Sequence, residues 1–511
     1  LLVAAAALWQ QGGAPCYAGP IALDGFAYYT RWLALALGAL LVLLALRPVS
    51  GSGAHECVGL ILVIAAGLML VGVAGGLVLI VVGLELISIA TFVVLWRGHR
   101  DRASQEATAK YIFPSVLASA MVLCGLSFLY GASGSIRWAT MSDRLAELQG
   151  SSAGFASLAV VLVSAGLGFR IAVVPFHFYA PDVFQETTHA NAALLSAVPK
   201  AAGLVVLARI TMAVASHVGE HAWQIALVLA VLTMTLGNVM ALWQDNLRRL
   251  LAYCSIAHGG YLLIGLAAVL APGRATGEVG PVAALLFHLG VYGLAIIGAF
   301  AVLEGLGRRG APVESVVELA GLARTHPMAA ALISVFMFSL AGLPPLAGFW
   351  GKLVLLGSAP GIREVASGAE ASGAEVWPWL LGLGALGVVN VVVAAAYHVR
   401  IVGVMYFRTP LGVPKAEGGR GTWLAATLCG VLTILIGLWP GPLLRESVAA
   451  GRDKSAIARS SGASAAGGES GRKCRHPSLP RGLAWRRTYL GCSLMLYRTG
   501  VTAWCHRETR L

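Results

Sequence analysis

Six residues that could carry a charge or a proton lie inside long apolar stretches of this sequence. Placing a charged group in hydrocarbon costs about 2.5–3.5 kcal/mol on insertion scales, so a charge kept there is a candidate for function. Lysine, histidine and carboxylates can bind and release a proton, whereas arginine keeps its charge in proteins. A series of such groups is typical of a pathway for protons or ions. The six residues are Glu85, Lys110, Arg170, Lys200, His288 and Lys352.

The surroundings of these residues favour a buried position to different degrees. Glu85 lies in the middle of LVLIVVGLELISIATFVVLW, and Lys200 lies in ANAALLSAVPKAAGLVV, where the alternative is a lysine that reaches to the surface. His288 interrupts AALLFHLGVYGLAII, where a histidine could also be a packing residue. Lys110 follows Glu106 by four residues, so an ion pair on one helix face is an equal alternative for it. The series as a whole indicates a relay more strongly than any one member.

Proline interrupts two of the apolar segments, and each interruption has a cation nearby. Pro175 interrupts GLGFRIAVVPFHFYAPD, which contains Arg170. Pro344 and Pro345 interrupt SLAGLPPLAGFWGK, which ends at Lys352. Simple proline kinks are common in membrane helices, but irregular backbone at membrane depth is tolerated only inside protein or along a water-filled cavity. Two such breaks, one in each half of the chain, predict an inverted-repeat transporter.

The composition shows which elements position these residues. Of the 511 residues, 58% are hydrophobic and 12% are charged, and the mean hydropathy is +0.79, whereas about 25% of the residues of a soluble domain are charged. The sequence therefore predicts an all-α polytopic membrane protein with about 13 transmembrane helices and excludes a soluble enzyme of two or three domains. The predicted helices are 1–9, 31–47, 57–75, 77–96, 106–131, 154–174, 190–213, 222–243, 249–271, 279–305, 328–357, 376–405 and 422–441.

The basic residues between these helices predict the orientation in the membrane. One set of alternate loops holds twelve of them: Arg47, Arg97, Arg100, Arg102, Arg248, Arg249, Arg308, Arg309, Arg324, Arg408, Lys415 and Arg420. The other set holds five: Arg31, Arg137, Arg144, Arg274 and Arg363. Because cytoplasmic loops carry the excess of Lys and Arg, we expect the first set to be cytoplasmic. On this topology Arg170 and Lys200 both lie near mid-depth and can face one another.

The end of the chain differs in kind from the rest. Residues 451–511 contain twelve Lys or Arg and three Asp or Glu, so this segment carries +9 of the formal charge of +13. It lacks helical and strand periodicity. We therefore divide the chain into a transmembrane domain, 1–445, and a basic tail, 446–511, which we expect to be a disordered or artefactual extension.

The sequence contains no motif that indicates a cofactor-binding site. The eight cysteines are scattered, and no two have the spacing of a CxxC motif or of zinc ligands. Gly382, Gly384 and Gly387 spell GxGxxG, but the run lies inside an apolar helix, where close helix packing explains it better than nucleotide binding. We expect no cofactor and no metal to be bound by this chain.

Five segments together resemble a known family. They are GLELISIA (83–90), ATAKYIFPSVLASAMVLCGLSFLYGASG (107–134), GLGFRIAVVPFHFYAPDVFQ (166–185), GNVMALWQDNLRRLLAYCSIAHGGYLLIG (237–265) and SLAGLPPLAGFWGKLVLL (339–356). In this order they are similar to the antiporter-like subunit N of NADH-quinone oxidoreductase, the bacterial respiratory complex I, over about residues 1–445. The resemblance implies fourteen spans, with two inverted five-helix repeats that each contain a broken helix. This chain lacks the first span and part of the second, so it is N-terminally truncated relative to the family.

The resemblance also implies roles for the buried charges along a central hydrophilic axis. Glu85 corresponds to the intramembrane carboxylate of the family, and Lys110 to a lysine of the following helix. Arg170 corresponds to the cation of the first broken helix, where the family usually has lysine. Lys200 is the next central lysine, and Lys352 is the lysine of the second broken helix. His288 joins this series from the second half of the chain.

The function that the resemblance implies is proton translocation in the bacterial inner membrane. The subunit would bind no cofactor, and NADH, FMN, iron–sulfur clusters and quinone would belong to other subunits of the complex. Its partners would be the lipid bilayer and other membrane subunits of complex I, including neighbouring antiporter-like subunits, and no nucleic acid. Two alternatives remain: a subunit of a multisubunit Na⁺/H⁺ antiporter or of a membrane-bound hydrogenase, and a structural membrane scaffold that does not pump.

Overall fold

Long apolar helices make up most of the described chain. The computed structural model describes residues 1–11, 16–18, 20–46, 53–98, 102–146, 151–214, 222–271, 279–308, 311–358, 376–410, 416 and 418–452. Six of the basic residues that predicted the orientation lie outside these ranges: Arg47, Arg100, Arg274, Arg309, Arg363 and Lys415. Most of the predicted tail, residues 453–511, also lies outside them.

The described part of the chain contains eighteen α-helices. They are α1 (Leu2–Gln11), α2 (Gly25–Ala45), α3 (Gly53–Gly72), α4 (Leu77–Trp96), α5 (Arg102–Ser133), α6 (Trp138–Ala146), α7 (Ser151–Ile171), α8 (Ala180–Glu186), α9 (His189–Val214), α10 (Ala222–Leu242), α11 (Leu247–Leu270), α12 (Pro281–Gly305), α13 (Leu322–Thr325), α14 (Pro327–Ala341), α15 (Ala347–Ser358), α16 (Trp377–Phe407), α17 (Arg420–Leu438) and α18 (Gly441–Arg452). Two short antiparallel pairs accompany them, β1 (Cys16–Ala18) with β2 (Ile21–Leu23) and β3 (Gly307–Arg308) with β4 (Ala311–Pro312).

Within the described residues, eleven helical segments are long and apolar enough to cross a membrane. The prediction of an all-α polytopic membrane protein is thereby confirmed. Helix α14 is apolar but shorter than a full span, and α15 continues its predicted segment after the break. The predicted helix start at residue 31 is wrong: α2 begins at Gly25, because Asp24 caps the helix by accepting a hydrogen bond from the Ala27 amide at 2.7 Å. Arg31, predicted at the first residue of this helix, therefore lies inside α2.

Both predicted breaks are present. Helix α7 ends at Ile171, and a 3₁₀ turn (Phe176–Tyr179) precedes α8. Helix α14 ends at Ala341, and Gly342 follows with a φ of 89°, a left-handed conformation that favours glycine. A Cβ atom at this position would also lie 2.8 Å from Cδ of Lys352. The second break therefore needs glycine both for its backbone and for the approach of the lysine.

Three helices form the centre of the bundle. The most apolar stretch of each helix is buried to a different extent. In α9 all of its residues are buried, and in α11 and α12 94% of them are buried. In α5 and α16, by contrast, only 33% and 28% of the residues of this stretch are buried. Helices that are apolar all round and enclosed by others suit the interior of a membrane bundle. Polar groups on these three helices are therefore shielded from lipid.

The described part of the predicted tail is helical. Residues 446–452 belong to α18, which packs against α2 and α12. The boundary drawn at residue 445 therefore falls inside a helix.

Candidate functional site

Arg170 stands near the end of α7, and its two terminal nitrogens donate to the two preceding long helices, whereas its buried Nε has no hydrogen-bond partner. Its side chain is 2% exposed. Nη1 donates to the Ser88 hydroxyl at 2.7 Å and to the Leu84 carbonyl at 3.4 Å, and Nη2 donates to the Ser119 hydroxyl at 3.1 Å. Nη2 also lies 3.5 Å from Oε1 of Glu85, whose side chain is 37% exposed at the middle of α4. The site therefore holds a fixed positive charge next to a carboxylate that reaches the surface of the chain.

Lys200 is buried at the centre of the bundle. Its ammonium group, on α9, donates to the carbonyl of Ser255 on α11 and to the Ser255 hydroxyl at 2.6 Å. It also lies 4.9 Å from the ring centre of Tyr292 on α12. The Tyr292 hydroxyl donates to the same Ser255 hydroxyl at 2.8 Å. Lys200 thus contacts α11 and α12, whereas Arg170 contacts α4 and α5, so the two cations do not face one another as the sequence had suggested.

Two histidines continue the site from Tyr292. The rings of His258 and His288 are stacked, with centroids 5.3 Å apart, and Nδ1 of His258 lies 3.2 Å from Nε2 of His288. The His258 ring is 4.8 Å from the Tyr292 ring. On the far side, a Cβ atom at Gly351 would lie 2.7 Å from Nδ1 of His288, so the second histidine abuts the start of α15.

Lys352 occupies the second break. Its ammonium group donates to the carbonyls of Leu340 and Ala341 at 2.8 and 3.0 Å, at the end of α14. A cation is favoured at this position because the last carbonyls of a helix are partly negative and lack helical partners. The ammonium group also lies 4.8 Å from the ring centre of Tyr261 on α11. The break thus supplies the groups that hold the lysine.

These contacts form one continuous series from α9 to α15. Every member is buried and either hydrogen-bonded to the next, in ring contact with it or adjacent to it through Gly351. We call it the Lys200–Lys352 series, and its members are Lys200, Ser255, Tyr292, His258, His288 and Lys352. Lysine, serine, tyrosine and histidine each exchange hydrogen-bonded protons. Hydrogen bonds join Lys200 and Tyr292 to Ser255, and His258 to His288. The steps from Tyr292 to His258 and from His288 to Lys352 are packing contacts, so a proton crosses them only when a side chain moves or a water molecule enters.

Sequence reasoning found three members of this series and missed the others. His258 stands in an apolar helix, as His288 does, so the same signal could have found it. Ser255 and Tyr292 give no such signal, because both residue types are common in membrane helices. Only the packing of α9, α11 and α12 identifies them.

Lys110 lies apart from the buried series. Its side chain is 48% exposed, and its ammonium group lies 2.8 Å from Oε1 of Glu106 and 3.8 Å from Oδ2 of Asp182. Arg249 on α11 donates to Oδ1 of Asp182 at 2.9 Å. These side chains line an open cavity of about 260 Å³ at the start of α5. The ion pair with Glu106, the alternative considered from the sequence, is the arrangement present.

An ion pair with both partners buried was not predicted from the sequence. Arg209 on α9 makes two hydrogen bonds to the carboxylate of Asp24, at 2.6 and 2.9 Å, and one to the Gly72 carbonyl at 2.7 Å. Both side chains are 2% exposed. The guanidinium also lies 4.7 Å from the ring centre of Phe26. This pair joins α2, α3 and α9, so we interpret it as structural.

Within the part of the chain that the structure describes, no group of His, Cys, Asp and Glu side chains could hold a metal ion. Cys124, Cys254 and Cys429 form no disulfide.

Comparison with known proteins agrees with the fold and with the motifs. The family model described as "NADH:quinone oxidoreductase/Mrp antiporter, TM" matches residues 74–365. NADH-quinone oxidoreductase subunit N from Rhodospirillum rubrum is 37% identical over 446 residues, which cover 85% of each chain. NADH-quinone oxidoreductase subunit N 2 from Roseiflexus castenholzii is 36% identical and covers 84% of each chain.

Solved structures show the same relationship. A chain of respiratory complex I from Thermus thermophilus is 33% identical, with a TM-score of 0.71 over 88% of this chain and 92% of that one. A chain of the Mrp complex from Dietzia sp. has a TM-score of 0.72 over 89% of this chain and 92% of that one. Its identity of 20% shows a shared fold and no more.

Proposed function

Because the chain belongs to the NADH-quinone oxidoreductase subunit N family, we propose that it translocates protons in complex I through the Lys200–Lys352 series. The observation that carries this proposal is a group of six buried side chains that can each hold or pass a proton. Lys200 and Tyr292 both donate to Ser255, and the two histidines face each other at hydrogen-bond distance. Eleven described segments long enough to span a membrane, together with the bacterial relatives, make it a multi-pass protein of the bacterial inner membrane. Its partners are other membrane subunits of the complex, including antiporter-like ones.

Lys200 and Lys352 are the first and last proton-binding residues of the proposed pathway. A buried lysine can be ammonium or neutral amine, and the balance responds to charges and solvent that reach it. His258 and His288 face each other through one nitrogen each, so one ring donates while the other accepts. A proton on Nδ1 of His258 would pass to Nε2 of His288, and loss of the proton on Nδ1 of His288 would complete the step. Movement of the Lys352 side chain, or a water molecule, would bridge His288 and Lys352. Lys352 would receive it at the broken helix.

The driving energy comes from outside this chain. Each proton moved against 100 mV costs about 2.3 kcal/mol. We propose that this subunit has no redox centre and that NADH oxidation and quinone reduction take place in other subunits. Their reactions would act on the chain through the neighbouring membrane subunits.

We assign a fixed-charge role to Arg170. A guanidinium stays protonated in proteins, so Arg170 cannot bind and release the translocated proton. Its contact with Glu85 keeps a positive charge next to a carboxylate at mid-span. This pair can respond to a charge in a neighbouring subunit because Glu85 reaches the surface, and the response can change the field at the Lys200–Lys352 series.

The experiment is proton uptake measured alongside NADH:quinone turnover in the assembled complex. Lys200→Ala and Lys352→Ala should each lower the number of protons moved per NADH. Lys110→Ala is the matched control, because it removes a lysine that lies outside the series. Wild-type pumping by both series variants would refute the relay and favour a scaffold without a pumping role.

A further inference from the structure

Cys254 and His398 form a buried thiol–imidazole pair that the proposed pathway does not use. Sγ of Cys254, on α11, lies 3.6 Å from Nε2 of His398, on α16, and both residues are 0% exposed. A buried cysteine is usually a small packing residue. A thiol beside an imidazole nitrogen differs, because the imidazole can take the thiol proton and leave a thiolate. We call these two residues the Cys254–His398 pair.

The second hydrogen bond of His398 fixes where the protons of the pair lie. Nδ1 of His398 lies 2.8 Å from the Ala394 carbonyl oxygen. Because a carbonyl only accepts, Nδ1 carries a hydrogen, and Nε2 of the neutral ring is an acceptor for the thiol proton. Transfer of this proton breaks the S–H bond and forms an Nε2–H bond. It converts the neutral pair into a thiolate and an imidazolium without changing the total charge.

The surroundings of the pair suit both of these charges. The ring of Tyr397 lies 4.3 Å from the His398 ring, centroid to centroid, and an aromatic ring attracts a nearby cation. The Ala394 carbonyl accepts from the same imidazole and would bind an imidazolium more strongly. On the sulfur side, the Tyr397 hydroxyl lies within hydrogen-bond reach of Cys254 and can donate to a thiolate.

The two lysines of the Lys200–Lys352 series act on this pair unequally. Lys200 interacts electrostatically with the thiol, whereas Lys352 interacts with both the thiol and the imidazole. An ammonium group attracts a thiolate and repels an imidazolium. A charged Lys200 therefore favours the charge-separated form, and the two effects of Lys352 oppose one another. The charge of His398 also reaches His258, so the pair is coupled to the histidines of the series.

A negative group at this position meets a need of the series. The series contains two lysines and no carboxylate, and an ammonium group shielded from water is costly unless negative charge lies nearby. Ser255, which accepts the hydrogen bond from Lys200, follows Cys254 directly on α11. A thiolate at Cys254 would supply the negative charge while Lys200 holds a proton. It would become a neutral thiol again when Lys200 releases that proton.

We propose that the Cys254–His398 pair is a switchable counter-charge for Lys200. The pair is thiolate and imidazolium when Lys200 is an ammonium group, and thiol and imidazole when Lys200 is a neutral amine. It lowers the energy of the protonated lysine without a permanent carboxylate, which would hold the proton in place. The role of the pair in pumping rests on the proposed function, whereas its response to the charge at residue 200 does not.

Infrared spectroscopy of the assembled complex tests the switch, because a thiol has an S–H stretching band that a thiolate lacks. Subtraction of the spectrum of the same protein with Cys254→Ser isolates the band of Cys254, and Cys254→Ala serves the same purpose if the serine variant does not assemble. We expect the band in Lys200→Met, which has no charge at this position, and its loss in Lys200→Arg, whose charge is permanent. Bands of equal intensity in both proteins would overturn the proposal.

His398 is tested as the group that takes the proton. His398→Phe keeps an aromatic ring and removes the base, so the S–H band should return when this change is added to Lys200→Arg. A band that stays absent would show that His398 does not receive the proton. The same comparison with Lys352→Met and Lys352→Arg should give a smaller change than at Lys200, and a larger one would contradict the assignment to Lys200.

The effect on pumping is measured separately. Cys254→Ser keeps a hydrogen-bond donor for His398 but does not ionise, so the number of protons moved per NADH should fall. Cys429→Ser is the matched control, because it changes another fully buried cysteine, on α17, outside the pair and the series. Wild-type pumping by Cys254→Ser would refute the role in pumping. If Lys200→Ala also pumps normally, the proposed function fails, and the infrared result still decides whether the pair follows the charge at residue 200.

Discussion

The buried Arg209–Asp24 pair should be worth several kcal/mol to the fold, because removal of one partner leaves the other charged and shielded from water. Arg209→Leu removes three hydrogen bonds made by a guanidinium. It leaves the buried Asp24 carboxylate without its cation, with the Ala27 amide still donating to it. Breaking a buried ion pair in this way costs about 3–5 kcal/mol. Asp24→Leu should cost a similar amount, with about 1 kcal/mol of it from the lost helix cap.

The double variant separates a buried pair from two independent residues. Replacement of both partners by apolar side chains removes the unpaired charge, so Asp24→Leu/Arg209→Leu should be less destabilised than either single variant. The free energy of unfolding is measured for the full-length chain by titration with a denaturing detergent. Arg31→Leu is the control, because this α2 arginine is only partly buried and bonds to Gln11 and its own helix, so it should cost about 1 kcal/mol or less. Additive costs in the double variant, or single costs below 1 kcal/mol, would refute the reasoning.

Two further predictions concern the first break and the end of the chain. Arg170→Lys should retain much of the pumping, because a lysine beside Glu85 also stays charged, whereas Arg170→Ala should lose most of it. Proton uptake per NADH distinguishes the two variants. Normal pumping by Arg170→Ala would show that the arginine has only a structural role. Deletion of residues 453–511 should leave membrane insertion and assembly intact, since this segment has too little periodic apolar sequence to form a core. Native gel analysis of the complex checks the deletion, and loss of assembly would contradict the interpretation.

The sequence predicted those features that depend on local pattern. Lys200 and Lys352 stand out because their neighbours in sequence are apolar, and Pro175 and Pro344 mark the two breaks because proline removes a backbone donor. Lys110 also has apolar neighbours in sequence, but its side chain is 48% exposed. The first turns of an apolar helix can lie at the protein surface, so apolar neighbours alone do not show that a residue is buried. Local pattern is therefore a good guide to which residues are unusual and a poor guide to how deep they lie.

The partners of these residues could not be predicted, because they depend on helix packing. Ser255 meets Lys200 from 55 residues away, and His398 meets Cys254 from 144 residues away. Arg209 lies near the end of an apolar helix, where an arginine usually reaches to the membrane surface, and only the fold brings Asp24 to it. In each case the chemistry arises from a contact that no spacing in the sequence encodes.

The most direct test of the central claim is the number of protons moved per NADH by the assembled complex with Lys200→Arg. Arginine keeps the positive charge of Lys200 but does not release a proton, so this variant separates proton transfer from electrostatics. If a proton passes through Lys200, the ratio should fall to that of Lys200→Ala. A wild-type ratio in a fully assembled Lys200→Arg complex would contradict the account and show that the position needs only a charge.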